Sequence, residues 1–254
     1  MIWIGCILIL TGPYPLFVAW RANRTTSLRD AILWGAVAWL GWTCVGIAGA
    51  ERDALFVALC LTSCAGVAVL GARRPHVGAW NLVVVGLAFI MLLPLVERWM
   101  IGSQSLDLLR LAFLAATLAI TAGNHVPTRF WFAALMLACG CGAGFIAAVA
   151  ELSAWTPIVR AIVLAVPMVA LLCRPRAATN SFDSDWLAFR DRFGWLWSQR
   201  IREQFQQAAK NAELPGLLTW HGWAGESVPI AASDILRGLT KRFMGSASSI
   251  AAQK

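Results

Sequence analysis

The chain has 254 residues, of which 59% are hydrophobic and only 13% are charged, and its mean hydropathy is +0.68. Soluble globular domains carry about 25% charged residues, so this composition leaves too little polar surface for a water-soluble protein. It also excludes a disordered chain and a coiled coil, and it predicts an integral membrane protein. The net charge of +8 does not require a nucleic acid, because arginines beside membrane helices set orientation and contact lipid headgroups.

Seven segments have nearly the length of about 20 apolar residues that a membrane-spanning helix needs. They cover residues 2–20, 31–50, 54–72, 77–96, 108–123, 130–150 and 155–173. Most polar breaks between them are only a few residues long, which predicts antiparallel neighbours in an up-and-down bundle. The fold class we expect is all-α: a polytopic membrane helix bundle over residues 1–173, followed by a basic, amphipathic and mostly helical cytoplasmic tail over residues 174–254.

The arginines of the short loops predict the orientation of the bundle. The first, third and fifth loops carry more arginine than the second, fourth and sixth, and arginine-rich loops stay in the cytoplasm. With seven spans, the N-terminus then lies outside and the C-terminus inside. Arginine also far outnumbers lysine, which points to a GC-rich bacterial source and hence to a bacterial inner membrane.

Two features inside the spans are candidates for a functional site. Pro13, Tyr14 and Pro15 interrupt the first span, and the two prolines remove two backbone donors. This break is either a discontinuous helix that lines a transport site or an ordinary kink. Arg160 lies several residues into the last span, where a charge is costly. It either snorkels toward the outer surface or pairs with an acid near that surface, for which the candidates are Glu151, Glu97 and Glu51.

Other residues inside the spans indicate packing rather than chemistry. Gly140 and Gly144 form a small-xxx-small pattern that lets helices approach closely, either within the bundle or between two copies of the chain. All seven cysteines fall in apolar stretches, where they pack as small hydrophobic side chains. The seven segments contain no histidine and no lysine, which excludes bis-histidine haem ligation and a retinal Schiff base. We therefore expect neither a metal nor another cofactor.

The tail is predicted to begin with an amphipathic helix from Asp185 to about Leu214. Its apolar side chains recur every three or four residues and form an aromatic stripe: Trp186, Phe189, Phe193, Trp197, Ile201 and Phe205. Basic side chains fill other positions, among them Arg190, Arg192, Arg200 and Arg202. Such a helix is typical of binding to the anionic inner leaflet. The alternatives are a self-folded or oligomeric tail and a partner's groove.

The end of the tail carries two weaker patterns. Residues 217–223 are expected to be extended or looped, because they are too few to form a sheet alone. A second helix is predicted over residues 233–244, with its apolar side chains on one face. The sequence after residue 244 is predicted to fray.

No motif identifies a reaction, so the expected function rests on the class of protein. The first hypothesis is a non-enzymatic accessory or scaffold subunit of a membrane assembly, in contact with lipid and with a membrane-protein partner or a second copy, but with no nucleic acid. The second is a small permease with its site near the broken first span and Arg160. The third is a lipid-modifying enzyme, which needs a cluster of polar groups that the spans do not supply.

Overall fold

The computed structural model describes residues 2–45, 51–71, 77–102, 108–150, 152–175, 177–178 and 180–243. In these ranges the chain is predominantly helical. Each of the seven apolar segments contains helix, and the bounds are α1 (Ile2–Thr11), α2 (Pro13–Asn23), α3 (Arg29–Cys44), α4 (Glu51–Leu70), α5 (Val77–Ile101), α6 (Leu108–Gly123), α7 (Trp131–Val149) and α8 (Thr156–Leu172). The tail contributes α9 (Ser181–Asn211), β1 (Leu217–Thr219), β2 (Gly222–Ala224), α10 (Ile230–Thr240) and a short 3-10 turn (Lys241–Phe243).

Three of these helices are long and apolar enough to cross a membrane, namely α4 over Arg52–Leu70, α5 over Trp80–Ile101 and α7 over Trp131–Val149. The helices α6 and α8 are apolar but shorter. The outer face of α5 exposes large apolar side chains, including Phe89, Ile90 and Met100. A continuous exposed apolar surface of this kind fits a lipid environment better than water.

The core of the bundle lies around α4, which packs against α3, α5, α6 and α7. Trp42 of α3 is fully buried there, and its indole Nε1 donates a hydrogen bond of 2.9 Å to Thr62 Oγ1 of α4. Leu55 and Leu59 of α4 are buried beside it. The contact between α7 and α8 closes the bundle on another side, and α1 also packs on α8.

The tail forms a small folded unit around α9. The helix starts at the N-cap residue Asn180, whose side-chain oxygen accepts a 2.8 Å hydrogen bond from the backbone nitrogen of Asp183, a standard way to satisfy a free helical N–H. It bends at Gly194, whose backbone (φ 76°, ψ −168°) is not helical. The helix α10 and both short strands pack against α9.

Residues 217–224 correct one expectation from the sequence. They form an antiparallel hairpin in which Leu218 pairs with Trp223, whereas the sequence predicted an extended or looped segment too short to form a sheet alone. A contact with α9 stabilises the hairpin, because the backbone nitrogen of Trp223 donates a 2.7 Å hydrogen bond to Asp183 Oδ1. Two short strands are marginal alone, and the packing against α9 supplies the missing stabilisation.

Candidate functional site

Arg160, the main candidate within the spans, binds the end of a neighbouring helix. It lies on α8, and its Nη2 donates a 2.9 Å hydrogen bond to the backbone oxygen of Thr43 in the last turn of α3. The last carbonyl oxygens of a helix accept no hydrogen bond from the helix itself and carry partial negative charge. A guanidinium is therefore a favourable partner for them. The Nε of Arg160 is buried and has no hydrogen-bond acceptor among the described residues.

The acids proposed for Arg160 do not gather around it in the described structure. Glu97 accepts two hydrogen bonds from Arg110, at 2.7 and 3.2 Å, so it joins α5 to α6 rather than pairing with Arg160. Glu51 is the first residue of α4, and its side chain lies outside the described residues. Glu151 also lies outside them. Of the contacts described, Arg160 binds the Thr43 carbonyl and Glu97 binds Arg110, while pairing of Arg160 with Glu51 or Glu151 falls outside the described side chains.

Two further arginines join helices at this same end of the bundle. Arg52 of α4 donates from Nε to the backbone oxygen of Ala148, in the last turn of α7, at 3.1 Å. Arg98 of α5 forms a 2.6 Å ion pair with Asp53 of α4. With Arg160 and Arg110, these contacts tie four pairs of helices together. We call this end of the bundle the arginine end.

The break in the first span is a tight packing site. Gly12 stays in the right-handed helical region (φ −60°, ψ −32°) between α1 and α2, so the chain direction changes little there. A Cβ at Gly12 would overlap the indole of Trp39 in α3. Pro15 is buried, whereas Pro13 and Tyr14 are exposed. The exposed ring of Tyr14 therefore does not line an internal site in this structure.

The two glycines at four-residue spacing in α7 pack against the same chain. A Cβ at Gly140 would overlap Val163 of α8, and a Cβ at Gly144 would come within 3.1 Å of Val159 of α8. The absence of side chains thus brings α7 and α8 together, as small-xxx-small patterns do in other membrane helices.

The aromatic stripe of the tail forms an internal core rather than a lipid-binding face. Five of its six side chains are buried, and Trp197 is half-buried. Phe243, which follows α10, sits among three of them, with its ring centroid 5.1 Å from that of Phe189, 4.9 Å from Phe193 and 5.4 Å from Trp197. The amphipathic periodicity is real, but the tail's own residues cover the apolar face.

The basic positions of α9 separate into two groups. Arg190 is buried, while Arg192 and Arg200 are exposed and Arg202 is half-buried. Arg190 donates from both Nε and Nη2 to Asp191 Oδ1, at 3.1 and 2.8 Å, and from Nη1 to the backbone oxygen of Trp220 at 2.9 Å. Arg190 therefore fixes the hairpin to α9 and is unavailable to a lipid headgroup.

The tail meets the bundle at Gly194 and Asn124, which follows the last residue of α6. The backbone nitrogen of Trp195 donates to the Asn124 backbone oxygen at 2.6 Å, and that of Leu196 donates to Asn124 Oδ1 at 3.1 Å. Asn124 Nδ2 in turn donates to the backbone oxygen of Phe193 at 3.3 Å. A Cβ at Gly194 would overlap Asn124. We call this contact the Asn124 clamp.

A buried charged cluster lies beside the clamp. Asp191 accepts a 3.3 Å hydrogen bond from the backbone nitrogen of Arg129, and the Arg129 Nε lies 3.8 Å from Asp191 Oδ2. Burial lowers the pKa of His125, in the same loop, to about 4, although the nearby negative charge of Asp191 acts in the opposite direction. His125 is therefore neutral at physiological pH. Trp220 closes the cluster by donating from Nε1 to the Pro127 backbone oxygen at 2.7 Å.

Three more contacts join the two parts of the chain. Trp197 Nε1 donates to the backbone oxygen of Val69, in the last turn of α4, at 3.2 Å. The backbone nitrogen and Oγ of Ser27, in the loop after α2, both donate to the backbone oxygen of Phe243 at 3.2 Å. The tail thus touches the ends of α2, α4 and α6, and we call this end of the bundle the tail end.

Sequence reasoning did not identify the clamp. Asn124 and Gly194 are 70 positions apart, and neither belongs to a motif. A signal was present, because Gly194 is the one glycine in the 31 residues of α9. A glycine inside a long helical pattern often marks a close backbone approach.

Comparisons with protein-family models, with curated proteins and with solved structures found no match to this chain. The functional argument therefore rests on the contacts described above.

Proposed function

We propose that this chain is a multi-pass integral protein of a bacterial inner membrane and that it serves as a non-enzymatic accessory or scaffold subunit of a membrane assembly. The observation that carries the proposal is the fixed attachment of the folded tail to one end of the bundle through the Asn124 clamp and the Asp191 cluster. A module held rigidly relative to a membrane bundle can present its outer surface to a partner at a constant position. Preorganisation of this kind lowers the cost of binding.

The proposed topology has seven spans. Three helices have the full length, and α3, α6 and α8 contain 16 or 17 residues. At about 1.5 Å per residue such helices reach about 25 Å, slightly less than a typical hydrocarbon core, and local bilayer thinning accommodates this difference. Their packing beside α4 and α7 supports counting them with the spans.

The proposed orientation places the tail end in the cytoplasm. Arg21, Arg24 and Arg29 are exposed near the ends of α2 and α3 at this end, and Arg129 lies in the loop that binds the tail. Arginine in short loops favours the cytoplasmic side. The arginine end also carries arginines, but Arg98 and Arg110 there form ion pairs with acids of neighbouring helices.

Affinity purification from native membranes in mild detergent tests the subunit proposal. We expect wild-type protein to retain a partner at fixed stoichiometry. Gly194→Ala, which disturbs the clamp, should lose that partner, while Gly238→Ala, at an open position of α10, should retain it. Recovery of the wild-type chain alone and well folded would contradict the proposal, as would a partner that both variants retain equally.

A small permease is the second candidate. The buried Nε of Arg160, which has no acceptor within the part of the chain that the structure describes, favours it, because an anionic substrate could occupy that donor. Val163 of α8 is buried in the bundle and provides a test. In a cysteine-free background, a membrane-impermeant thiol reagent should label Val163→Cys if a water-filled path enters the bundle. Protection of this position supports the subunit instead.

A further inference from the structure

One apolar pair on α9 remains exposed after the aromatic stripe is buried. Trp195 is 48% exposed and Leu196 is 38% exposed, directly after the kink at Gly194. Arg200 lies one helical turn beyond Leu196 on the same side of the helix and is also exposed. We call Trp195, Leu196 and Arg200 the Trp195 face.

The Trp195 face is held at the level where apolar helices end. The backbone nitrogens of Trp195 and Leu196 donate hydrogen bonds to Asn124, the residue directly after α6. The next residue, Trp197, is bound to the last turn of α4. The helix α7 starts at the same end with the exposed rings of Trp131 and Phe132. The face therefore lies at the end of the bundle where α4 and α6 end and α7 begins.

We infer that the Trp195 face lies in the headgroup region of the bilayer and binds anionic lipid. A tryptophan ring is apolar with one polar N–H, which suits the boundary between hydrocarbon and water. The charge of the surroundings is complementary to anionic headgroups, because Arg200 follows the pair on α9 and Arg21 and Arg24 are exposed at the same end. The inference rests on the membrane placement proposed above, and it assigns lipid contact to this face instead of the aromatic stripe.

Site-specific photo-crosslinking of the full chain in nanodiscs of phosphatidylcholine and phosphatidylglycerol tests this assignment. The variant Trp195→p-benzoylphenylalanine reports on the face. Phe89→p-benzoylphenylalanine, on the exposed side of α5, is the control for membrane embedding. Leu217→p-benzoylphenylalanine, exposed on the hairpin, is the control for an exposed apolar position of the tail outside α9. Mass spectrometry identifies the adducts, and limited proteolysis checks that each tail is folded.

We expect lipid adducts at positions 89 and 195 and none above background at position 217. Adducts at 89 without any at 195 would overturn the inference and leave the proposed function intact. A failure at 89 as well would show that the membrane placement itself is wrong. Cross-links from 195 to protein rather than lipid would assign the face to a partner or a second copy, and would also overturn the inference.

Discussion

The Asn124 clamp predicts that a glycine-to-alanine change at position 194 destabilises the tail, whereas the same change at position 238 does not. Gly194 has φ 76° and ψ −168°, a region that is essentially confined to glycine and costs another residue about 1–3 kcal/mol. The added Cβ would also overlap Asn124 and so disturb the three hydrogen bonds of the clamp, each of which contributes about 0.5–1.5 kcal/mol. Gly194→Ala should therefore destabilise the docked tail by about 3 kcal/mol or more.

Gly238 is the matched control. It lies in α10, where no atom comes within 4 Å of an added Cβ, and alanine in a helix is favoured over glycine by about 0.5–1 kcal/mol. Gly238→Ala should leave the tail unchanged or slightly more stable.

Proteolysis of the tail as a function of urea, in detergent micelles, measures both effects. We expect Gly194→Ala to lower the urea midpoint clearly, and Gly238→Ala to keep or raise it, with the slope of the transition unchanged. A midpoint for Gly194→Ala as high as that of the wild type would refute the claim that the tail is held at Gly194. A low midpoint for both would indicate instead that any change to the tail destabilises it.

Two further predictions use the same assay, and a third concerns the thermal stability of the bundle. Asp191→Ala removes the acceptor of the buried Arg190 and should lower the stability of the tail by about 3–5 kcal/mol. Asp234→Asn, which breaks an exposed pair with Arg237, should lower it by less than about 1 kcal/mol. Similar losses of stability in the two variants would contradict the buried role of Asp191. The pKa of His125 is about 4 in the folded chain and about 6.5 when exposed, so between these pH values the unfolded chain binds a proton that the folded chain does not. The stability of the tail should therefore be full above pH 6.5 and fall by up to about 3 kcal/mol as the pH drops to 4. An equally steep loss of stability in a His125→Gln variant would refute this. Arg160→Leu leaves the Thr43 carbonyl without its donor and should lower the thermal stability of the bundle by about 1–3 kcal/mol. Arg174→Leu, at an exposed position just after α8, should leave that stability unchanged.

The helices could be predicted because apolar runs and helical periodicity are local properties of the sequence. Every apolar segment contains helix, and the long helix of the tail appears within a few residues of its expected bounds. Three helices are shown to be long and apolar enough to span a membrane, while the count of seven spans stays a prediction. Length is the reason, because α3, α6 and α8 are shorter than a full span.

The surface that covers the aromatic stripe could not be predicted from the stripe itself. Periodicity shows that one face of a helix is buried, but lipid, a partner and the rest of the tail would all select the same pattern. The decisive residues are Phe243 and Leu218, which come from outside α9 and are fully buried with it. Their contribution depends on long-range packing, which a single sequence does not encode as a local signal.

The contact made by Arg160 was hidden for a different reason. Its acceptor is a backbone oxygen at the end of α3, and a free helical carbonyl exists at every helix end whatever the residue type. The sequence suggested carboxylates as partners of Arg160 because acidic residues can be identified from residue type alone. Arg52, which binds the last turn of α7, shows that the same kind of partner was missed twice.

The charged contacts at the two ends of the bundle differ in how far water can reach them, and this difference predicts which end opens first. At the arginine end the paired side chains are partly exposed, for example 41% for Arg110 and 29% for Glu97, so water can replace each partner and little is lost when a pair separates. At the tail end Asp191 of α9, which is only 7% exposed, accepts a hydrogen bond from the backbone nitrogen of Arg129 in the loop after α6, so a partial separation would take that donor from a carboxylate that is still buried. The arginine end should therefore loosen one contact at a time, whereas the tail should leave the bundle in a single cooperative step that disrupts the Asn124 clamp and the Asp191 cluster together.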